Sequence, residues 1–166
     1  RQMCIRDREL LERLAYEDSL TGLYNRARIT VFADEIEQTG ERDFAVISMD
    51  LNSLKYYNDT MGHAYGDRYL VQFSTLLREF WKDLGIVGRM GGDEFIVILR
   101  RIRREKVEQK IQEFERALAR GNEKNTELKM DTAYGTAYGE EYPGETIHEV
   151  YRHADERMYE MKRRMK

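Results

Sequence analysis

The sequence predicts one mixed α/β domain of the α+β class, in which helices surround a central sheet. Two short runs of apolar and β-branched residues, at 43–50 and 95–99, have the length and composition of buried strands. Longer stretches with apolar residues at helical spacing lie between and around them, at 26–38, 68–81, 101–120 and 147–161. A chain of 166 residues is long enough for one such domain with a substantial core.

The N-terminal segment, residues 1–16, is charged and carries Leu10, Leu11 and Leu14 at roughly helical spacing. Two turns of this pattern are too few for a coiled coil, so an exposed terminal helix is the favoured interpretation. Residues 18–26 are rich in helix-capping side chains and predict a turn that leads into the helix at 26–38.

A strand follows at 43–50 and stops on Asp50, which is an unusual place for a carboxylate in a buried strand. If this strand pairs with the one at 95–99, Asp50 comes close to the acidic residues of that strand. Clustered carboxylates repel each other unless a cation neutralises them. Mg²⁺ prefers such oxygen ligands, particularly with substrate phosphates in its shell. The alternative is that Asp50 caps a helix beginning near Asn52.

Residues 52–67 predict a short helix, a loop and the start of a longer helix. The short helix ends near Asp59, and Lys55 and Asn58 share one of its faces. Gly62 and Gly66 bracket the loop, and Asp67 is placed to cap the next helix. The alternatives to a functional role are ordinary helix-end chemistry for Asn58, Asp59 and Asp67, and a loop hydrogen bond for His63.

The stretch at 86–99 predicts a β-hairpin, because Gly91 and Gly92 separate two apolar runs and glycine reaches the positive φ of a tight turn. Two carboxylates, Asp93 and Glu94, follow the turn directly and point to opposite faces if the strand is regular. A solvated hairpin tip is the alternative interpretation of these acidic residues.

The C-terminal third predicts a structural helix at 101–120, a strand at 128–138 and a final helix. The apolar stripe of the final helix comprises Ile147, Val150, Ala154, Met158 and Met161. Its basic end at 162–166 suits the helix macrodipole, and is also the local source of positive charge for a triphosphate.

Composition limits the classes of partner. Charged residues make up 36% of the chain but the net charge is only −3, so no global charge selects nucleic acid or membrane. The one cysteine, Cys4, excludes an internal disulfide and fits a reducing compartment. No apolar run has the length of a transmembrane helix, and no signal peptide is visible. Because the chain starts at Arg1 rather than Met, a longer parent protein is expected.

Several motifs together resemble the GGDEF domain, the catalytic module of bacterial diguanylate cyclases. The signature stands at 91–95 as Gly-Gly-Asp-Glu-Phe, and the turn at 18–26 resembles the family's N-terminal motif. Residues 50–67 resemble its metal and guanine segment, and 154–162 its final helix. The resemblance covers residues 15–162.

The resemblance implies a five-stranded, mostly antiparallel sheet surrounded by helices, similar to nucleotidyl cyclase and polymerase palm domains. It implies that two GTP molecules condense to cyclic di-GMP and pyrophosphate in a transient two-fold homodimer. Residues 1–16 would be the end of a signalling or linker helix, and residues 17–166 the catalytic domain. The domain would be cytoplasmic and would follow a sensor domain in a longer chain, which could be a membrane-anchored sensor. The domain itself would bind no nucleic acid and make no direct contact with the membrane.

The resemblance also assigns the metal and the reacting groups. Asp50, the backbone carbonyl of Leu51, and Asp93 would hold Mg²⁺ (or Mn²⁺). Glu94 would act as a base or as a further metal ligand. Lys55 would stabilise the reacting phosphates.

Substrate contacts are assigned in the same way. Asn58 and Asp67 would bind the guanine edge, and His63 would contribute to the pocket. Lys162 would contact the terminal phosphates, with Lys166 as a second contact.

Three features of the sequence depart from the family pattern. Leu54 replaces a frequent Phe conservatively. The Arg-x-x-Asp motif of product inhibition has Lys82 and Gly85 in place of its Arg and Asp, which predicts that this inhibitory site is absent. The usual Gly-Arg after the final helix is Met165 followed by Lys166, which weakens the second phosphate assignment.

Two other classes of function compete with catalysis. A regulatory module that binds GTP or cyclic di-GMP without turnover is disfavoured, because the carboxylates Asp50, Asp93 and Glu94 are all present. A palm-type polymerase would need a basic duplex channel, which this acidic chain does not offer.

Overall fold

The computed structural model of the protein describes residues 4–165. Within them lie six α-helices: α1 (Ile5–Tyr16), α2 (Arg26–Thr39), α3 (Leu54–Met61), α4 (His63–Trp81), α5 (Arg104–Lys124) and α6 (Ile147–Arg164). The strands are β1 (Phe44–Leu51), β2 (Gly85–Gly91), β3 (Glu94–Arg100) and β4 (Thr132–Tyr138). A short 3-10 turn at Gly139–Glu141 connects β4 towards α6.

The sheet is antiparallel throughout, with the strand order β2-β3-β1-β4. The mixed α/β class is therefore confirmed, but the expected fifth strand is not found in the described part of the chain. At the outer edge of β2, Tyr24 makes only a single bridge with Gly88. The backbone cannot continue as a strand there, because α2 begins two residues later at Arg26.

Each face of the sheet carries its own apolar core, because alternate strand residues point to opposite sides. The odd-numbered residues of β1 pack towards α4 and α5, together with Phe73, Trp81 and Phe114. The even-numbered apolar residues of β1 pack towards α2 and α6, together with Ile36 and Val150. Because both faces of β1 are buried, its sequence is apolar at nearly every position and does not alternate between apolar and polar residues.

The predicted hairpin is confirmed, with a turn at residues 92–93 between β2 and β3. Gly92 adopts a φ of 35°, in the region that favours glycine. The register of β2 against β3 shifts between Arg89 and Gly91. Asp93 consequently lies in the turn rather than in the strand, so the expected alternation of Asp93 and Glu94 across one strand is wrong.

The connection between α3 and α4 differs from the expected loop at 62–66. Helix α4 already begins at His63, directly after Gly62, whose φ of 92° makes the sharp turn between the two helices. Gly66 is buried inside α4, where a Cβ atom would collide with the Asn58 side chain of α3. Asp67 therefore lies within the helix, and its interpretation as an N-cap is wrong.

Helix α1 is confirmed as an exposed terminal helix without a single buried residue. Its last turn is attached to the domain through Asn25, whose backbone N–H donates to the Tyr16 carbonyl at 2.9 Å. The final helix and its apolar stripe are also confirmed, with Ile147, Val150, Ala154 and Met158 buried. The predicted strand at 128–138 is shorter than expected and begins at Thr132.

Candidate active site

The candidate site lies on the α6 side of the sheet, at the end of β1. Ser48 and Asp50 alternate with core residues of the opposite face and therefore both point towards α6. Ser48 donates a hydrogen bond to Asp155, and Asp50 binds Lys162. These two contacts are seven residues apart on α6, so one helical face meets one strand face at both places.

Asp50 is a buried carboxylate with one cationic partner. Its side chain is 5% exposed, and the Lys162 Nζ donates to its Oδ2 at 2.5 Å. This hydrogen bond raises the pKa of the Lys162 ammonium above its ordinary value. The other oxygen, Oδ1, is buried and has no hydrogen-bond partner among residues 4–165. An unpaired buried carboxylate oxygen is costly, and a bound cation would satisfy it.

Asp93 is brought to Asp50 by the hairpin turn. The Leu51 backbone N–H donates to the Asp93 carbonyl at 2.9 Å and so fixes the turn against the end of β1. Burial, together with the negative charge of Asp50, raises the pKa of the Asp93 carboxyl. The two acidic groups thus disfavour each other's ionisation unless positive charge is added.

Glu94 lies on the same sheet face as Asp50, because the two residues are Cα partners in the β1–β3 register. Its charge is the main cause that raises the pKa of the neighbouring Tyr159. Burial, with smaller effects of Asp155 and Glu94, raises the pKa of Tyr151 to about 12. The carboxylate of Glu94 therefore faces the phenols of α6 beside the Asp50–Lys162 pair.

The donor set fits Mg²⁺ with ligands completed by a substrate. Within residues 4–165, no three side chains of the His, Cys, Asp and Glu types cluster tightly enough to bind a metal alone. Asp50 and Asp93 supply two carboxylates, one of which has the orphaned oxygen described above. Mg²⁺ sites that use one or two carboxylates plus substrate phosphates need no more than this from the protein.

The expected substrate residues of α3 and α4 lie apart from this pair. Lys55, His63 and Asp67 are exposed, and Asn58 is half-buried against Gly66, the residue before Asp67. None of the four side chains takes part in a hydrogen bond or an ion pair within the part of the chain that the structure describes. Lys166, the second expected phosphate contact, lies outside the described residues.

The structural role of Arg89 was not predicted from the sequence. Its Nη1 forms an ion pair with Asp18 at 3.1 Å, and its Nε donates to the Gly92 carbonyl at 2.9 Å. Asp18 also accepts from the backbone N–H and the hydroxyl of Thr21. Arg89 thus connects the turn before α2 with the hairpin turn beside Asp93. Its position just before the Gly-Gly pair was the only sequence signal.

The contact between Ser48 and Asp155 was likewise not predicted. Ser48 is 3% exposed, and its hydroxyl donates to the Asp155 carboxylate across the interface between β1 and α6. A polar residue inside an otherwise apolar strand was the available signal. Because Lys162 follows Asp155 by two turns, this hydrogen bond helps to position the lysine over Asp50.

Fold and site together define an α/β domain with a carboxylate pair at one end of an antiparallel sheet and a lysine of the last helix above it. The family model for "Diguanylate cyclase, GGDEF domain" matches residues 15–166. The chain belongs to this family.

Two curated relatives show the same kinship over part of their length. An uncharacterised protein of Streptomyces griseus, in the hutH 5′ region, is 42% identical over 95 residues, which are 54% of this chain and 39% of that protein. Diguanylate cyclase DgcN of Escherichia coli K12 is 37% identical over 103 residues, 61% of this chain and 25% of that protein. The chain therefore spans well under half the length of these relatives.

A solved structure supports the fold over nearly the whole chain. The coiled coil and GGDEF domain of DgcB from Caulobacter crescentus, in complex with c-di-GMP, is 25% identical with a TM-score of 0.76. The match covers 95% of this chain and 87% of that one.

Proposed function

We propose that this domain is an active diguanylate cyclase that condenses two GTP molecules into cyclic di-GMP and pyrophosphate. The observation that carries the proposal is the buried Asp50 carboxylate, with its unpartnered oxygen, beside Asp93 at the hairpin turn. A buried carboxylate with a second, half-buried carboxylate beside it is costly for a purely structural domain and useful where cations and phosphates bind. Membership of the diguanylate cyclase family supports the choice of cyclic di-GMP synthesis as the proposed reaction.

Asp50, Asp93 and the carbonyl of Leu51 would hold Mg²⁺ or Mn²⁺. When bound, the metal ion supplies positive charge that neutralises the phosphates and the developing negative charge of the reaction. The chain itself fixes the ligands: the buried end of β1 holds Asp50, and the Leu51 N–H holds the Asp93 backbone. The Lys162 ammonium now compensates the charge of Asp50, and with substrate present it would contact the terminal phosphates.

The reaction transfers a nucleotidyl group from each GTP. The 3′-hydroxyl oxygen of one GTP forms a bond to the α-phosphorus of the other, and the bond from that phosphorus to the pyrophosphate oxygen breaks. The reciprocal transfer closes the ring, so two pyrophosphates leave for each cyclic di-GMP. Glu94 either accepts the hydroxyl proton or adds an oxygen ligand to the metal site. Lys55, exposed in the first turn of α3, would stabilise the reacting phosphates.

Guanine would bind on α3 and α4. The Asn58 and Asp67 side chains would pair with its edge, and His63 would line the same pocket. A carboxylate accepts from both N1–H and N2–H₂ of guanine, and adenine offers no such pair. Losing one buried pairing of this kind costs roughly 1–3 kcal/mol.

The proposed enzyme works as a transient two-fold homodimer. One bound GTP cannot present its 3′-hydroxyl to its own α-phosphorus to give a dinucleotide, so two domains must face each other. Residues 1–16 would form the end of a linker helix from an upstream sensor domain, and residues 17–166 the catalytic domain.

Incubation of the purified chain with GTP and Mg²⁺, followed by mass spectrometry, tests the proposal. Cyclic di-GMP and pyrophosphate are the expected products, and their formation should stop when the metal is chelated. Binding of GTP without any product, at high protein concentration and with either Mg²⁺ or Mn²⁺, would instead support a non-catalytic regulatory module.

A further inference from the structure

A cavity of about 610 Å³ lies at the outer edge of β2. Its walls come from the turn before α2, from α2 itself, from the C-terminal end of α4 and from the start of β2. None of the described residues that are assigned to metal or GTP lines this cavity. This size is within the usual range of pockets for small organic ligands.

The cavity combines apolar walls with charged side chains of both signs. Leu23, Phe32 and Ile86 are among its apolar lining residues. Its charged lining comprises the cations Arg28, Arg78 and Lys82 and the acids Glu17 and Asp83. Of the three cations, Lys82 already has a carboxylate partner in Glu79, which lies outside the lining.

Arg28 is the cation whose hydrogen-bonding capacity is least satisfied. Its Nη1 is buried and has no hydrogen-bond partner within residues 4–165. Arg78, by contrast, donates to the Thr21 carbonyl at 2.5 Å, and Lys82 pairs with Glu79 at 3.2 Å. The Arg28 guanidinium is also held 5.4 Å from the centre of the Tyr24 ring, which restricts its orientation.

We propose that this cavity binds a small organic carboxylate. The carboxylate accepts hydrogen bonds from Arg28, whose planar guanidinium matches a carboxylate in a two-point geometry. The apolar body of the ligand lies against Phe32 and Ile86. Binding gives the Arg28 guanidinium, which has no acceptor among residues 4–165, a carboxylate to which it can donate.

The proposed site differs from the product-inhibition motif that the family resemblance places at 82–85. That segment forms only one rim of the cavity, and Lys82 is exposed and engaged with Glu79. The residue that determines binding here is Arg28 on α2. A cyclic dinucleotide is therefore a competing ligand to be tested and not the ligand proposed.

Hydrogen bonds connect the cavity wall to the hairpin. Arg78 binds the Thr21 carbonyl, Thr21 binds Asp18, Asp18 binds Arg89, and Arg89 binds the Gly92 carbonyl beside Asp93. If the proposed cyclase function holds, a ligand that displaces Arg78 from Thr21 would therefore alter the hairpin and the rate. Binding of the ligand does not depend on that function.

NMR titration of the intact chain with 2-naphthoate tests the site without an activity assay. We expect saturable shifts of the Leu23 and Ile86 methyl groups, which line the cavity. The neutral analogue 2-naphthalenemethanol should bind about tenfold more weakly, since it lacks the charge-assisted contact. Absence of saturable shifts, or equal affinity for the two probes, would overturn the proposal.

Variants assign the contact. Arg28→Gln should weaken 2-naphthoate binding about tenfold, and Arg120→Gln, an exposed arginine of α5 outside the cavity, should not change it. Arg28→Lys keeps the positive charge but lacks the planar guanidinium that donates two parallel hydrogen bonds, so its binding should be intermediate. It serves as the test if Arg28→Gln does not fold. Unchanged 2-naphthoate binding in both Arg28 variants would contradict the assignment. Binding of cyclic di-GMP in this cavity that requires Lys82 but not Arg28 would also contradict it.

Discussion

At the scale of single residues, Asp50 determines how this site is organised. Its side chain is buried among apolar neighbours, with one oxygen on Lys162 and the other without a partner in the described chain. Asp93 lies close enough that the charge of Asp50 raises its pKa. The buried Asp50 therefore interacts with two half-buried charged groups, Lys162 and Asp93, and removal of any one of the three changes the electrostatic balance for the others.

Replacement of Asp93 or Glu94 by Ala should abolish synthesis of cyclic di-GMP while the fold is retained. Neither side chain belongs to the apolar core, so the far-UV circular dichroism spectrum should match that of the wild type. Product formation is followed by mass spectrometry with GTP and Mg²⁺. Wild-type turnover of either variant, with the same metal requirement, would refute the roles proposed for these carboxylates.

Lys162→Met should destabilise the protein by roughly 1–3 kcal/mol, because Asp50 then stays buried without its hydrogen-bond donor. Millimolar Mg²⁺ should raise the melting temperature of this variant more than that of the wild type, since the metal ion replaces the missing positive charge. Calorimetry measures both effects. Lys82→Met, at an exposed lysine of α4's C-terminal end, is the matched control, and an equal Mg²⁺ response in both variants would argue against a metal site at Asp50.

At the scale of elements, a contact of Gly66 sets the position of α3, and a contact of Arg89 sets the position of the hairpin. Gly66 lets α4 approach α3 so closely that the Asn58 side chain occupies the space of a Cβ. Arg89 ties the hairpin turn to the turn before α2 through Asp18. Both contacts hold elements that carry proposed site residues.

Gly66→Ala should raise the KM for GTP, because the new methyl group displaces Asn58 from its position against α4. Without that collision, alanine would stabilise the helix by about 1 kcal/mol. Initial rates against GTP concentration measure the change. Gly144→Ala, where a Cβ meets nothing within 4 Å, is the control, and an unchanged KM in both variants would remove Asn58 from the substrate pocket.

The Asp18–Arg89 contact should make stability depend on pH. Burial opposes ionisation of Asp18, but hydrogen bonds from Thr21 and Arg89 outweigh it and lower the pKa of the Asp18 carboxyl. The stabilisation is therefore complete above the ordinary aspartate pKa and is lost as pH falls through the lowered value.

Asp18→Asn should accordingly be less stable than the wild type by roughly 1–3 kcal/mol near pH 7, with a smaller difference below about pH 4. Urea unfolding across this range is the measurement. A difference that stays constant with pH would mean that the charge of Asp18 does not contribute.

At the scale of the whole molecule, helix α1 is exposed, whereas the other helices pack against the sheet and form its two apolar cores. Leu14 is 72% exposed and Ile5 is 73% exposed, so this helix contributes no core residue. No helix among residues 4–165 is long and apolar enough to cross a bilayer. The catalytic arrangement we propose needs two copies of this domain, and α1 is too short to hold them together firmly.

The specific activity of the isolated chain should therefore rise with protein concentration. Fusing a strong parallel coiled coil in register before residue 1 should raise the rate at low concentration, because it increases the effective concentration of the second domain. Rate measurements from nanomolar to micromolar protein, with sedimentation in parallel, test this. A monomer with constant specific activity throughout would be incompatible with the paired mechanism.

The sequence by itself determined the type and order of most elements. Strand β1, the hairpin and α6 were predicted because their patterns are local: apolar runs, a glycine pair and an apolar stripe at helical spacing. The resemblance to the GGDEF family also followed from local motifs, and the family match confirms it.

Only the tertiary structure decided which side chains meet. The Asp50–Lys162 pair, the Ser48–Asp155 hydrogen bond and the Arg89–Asp18 ion pair join residues that are 112, 107 and 71 positions apart. Helix and strand periodicity fixes the face of each element but not the neighbour that this face contacts, since the neighbour depends on strand order and register. Gly66 shows the same limit: its lack of a side chain suggested a loop, whereas packing against Asn58 requires a glycine within a helix.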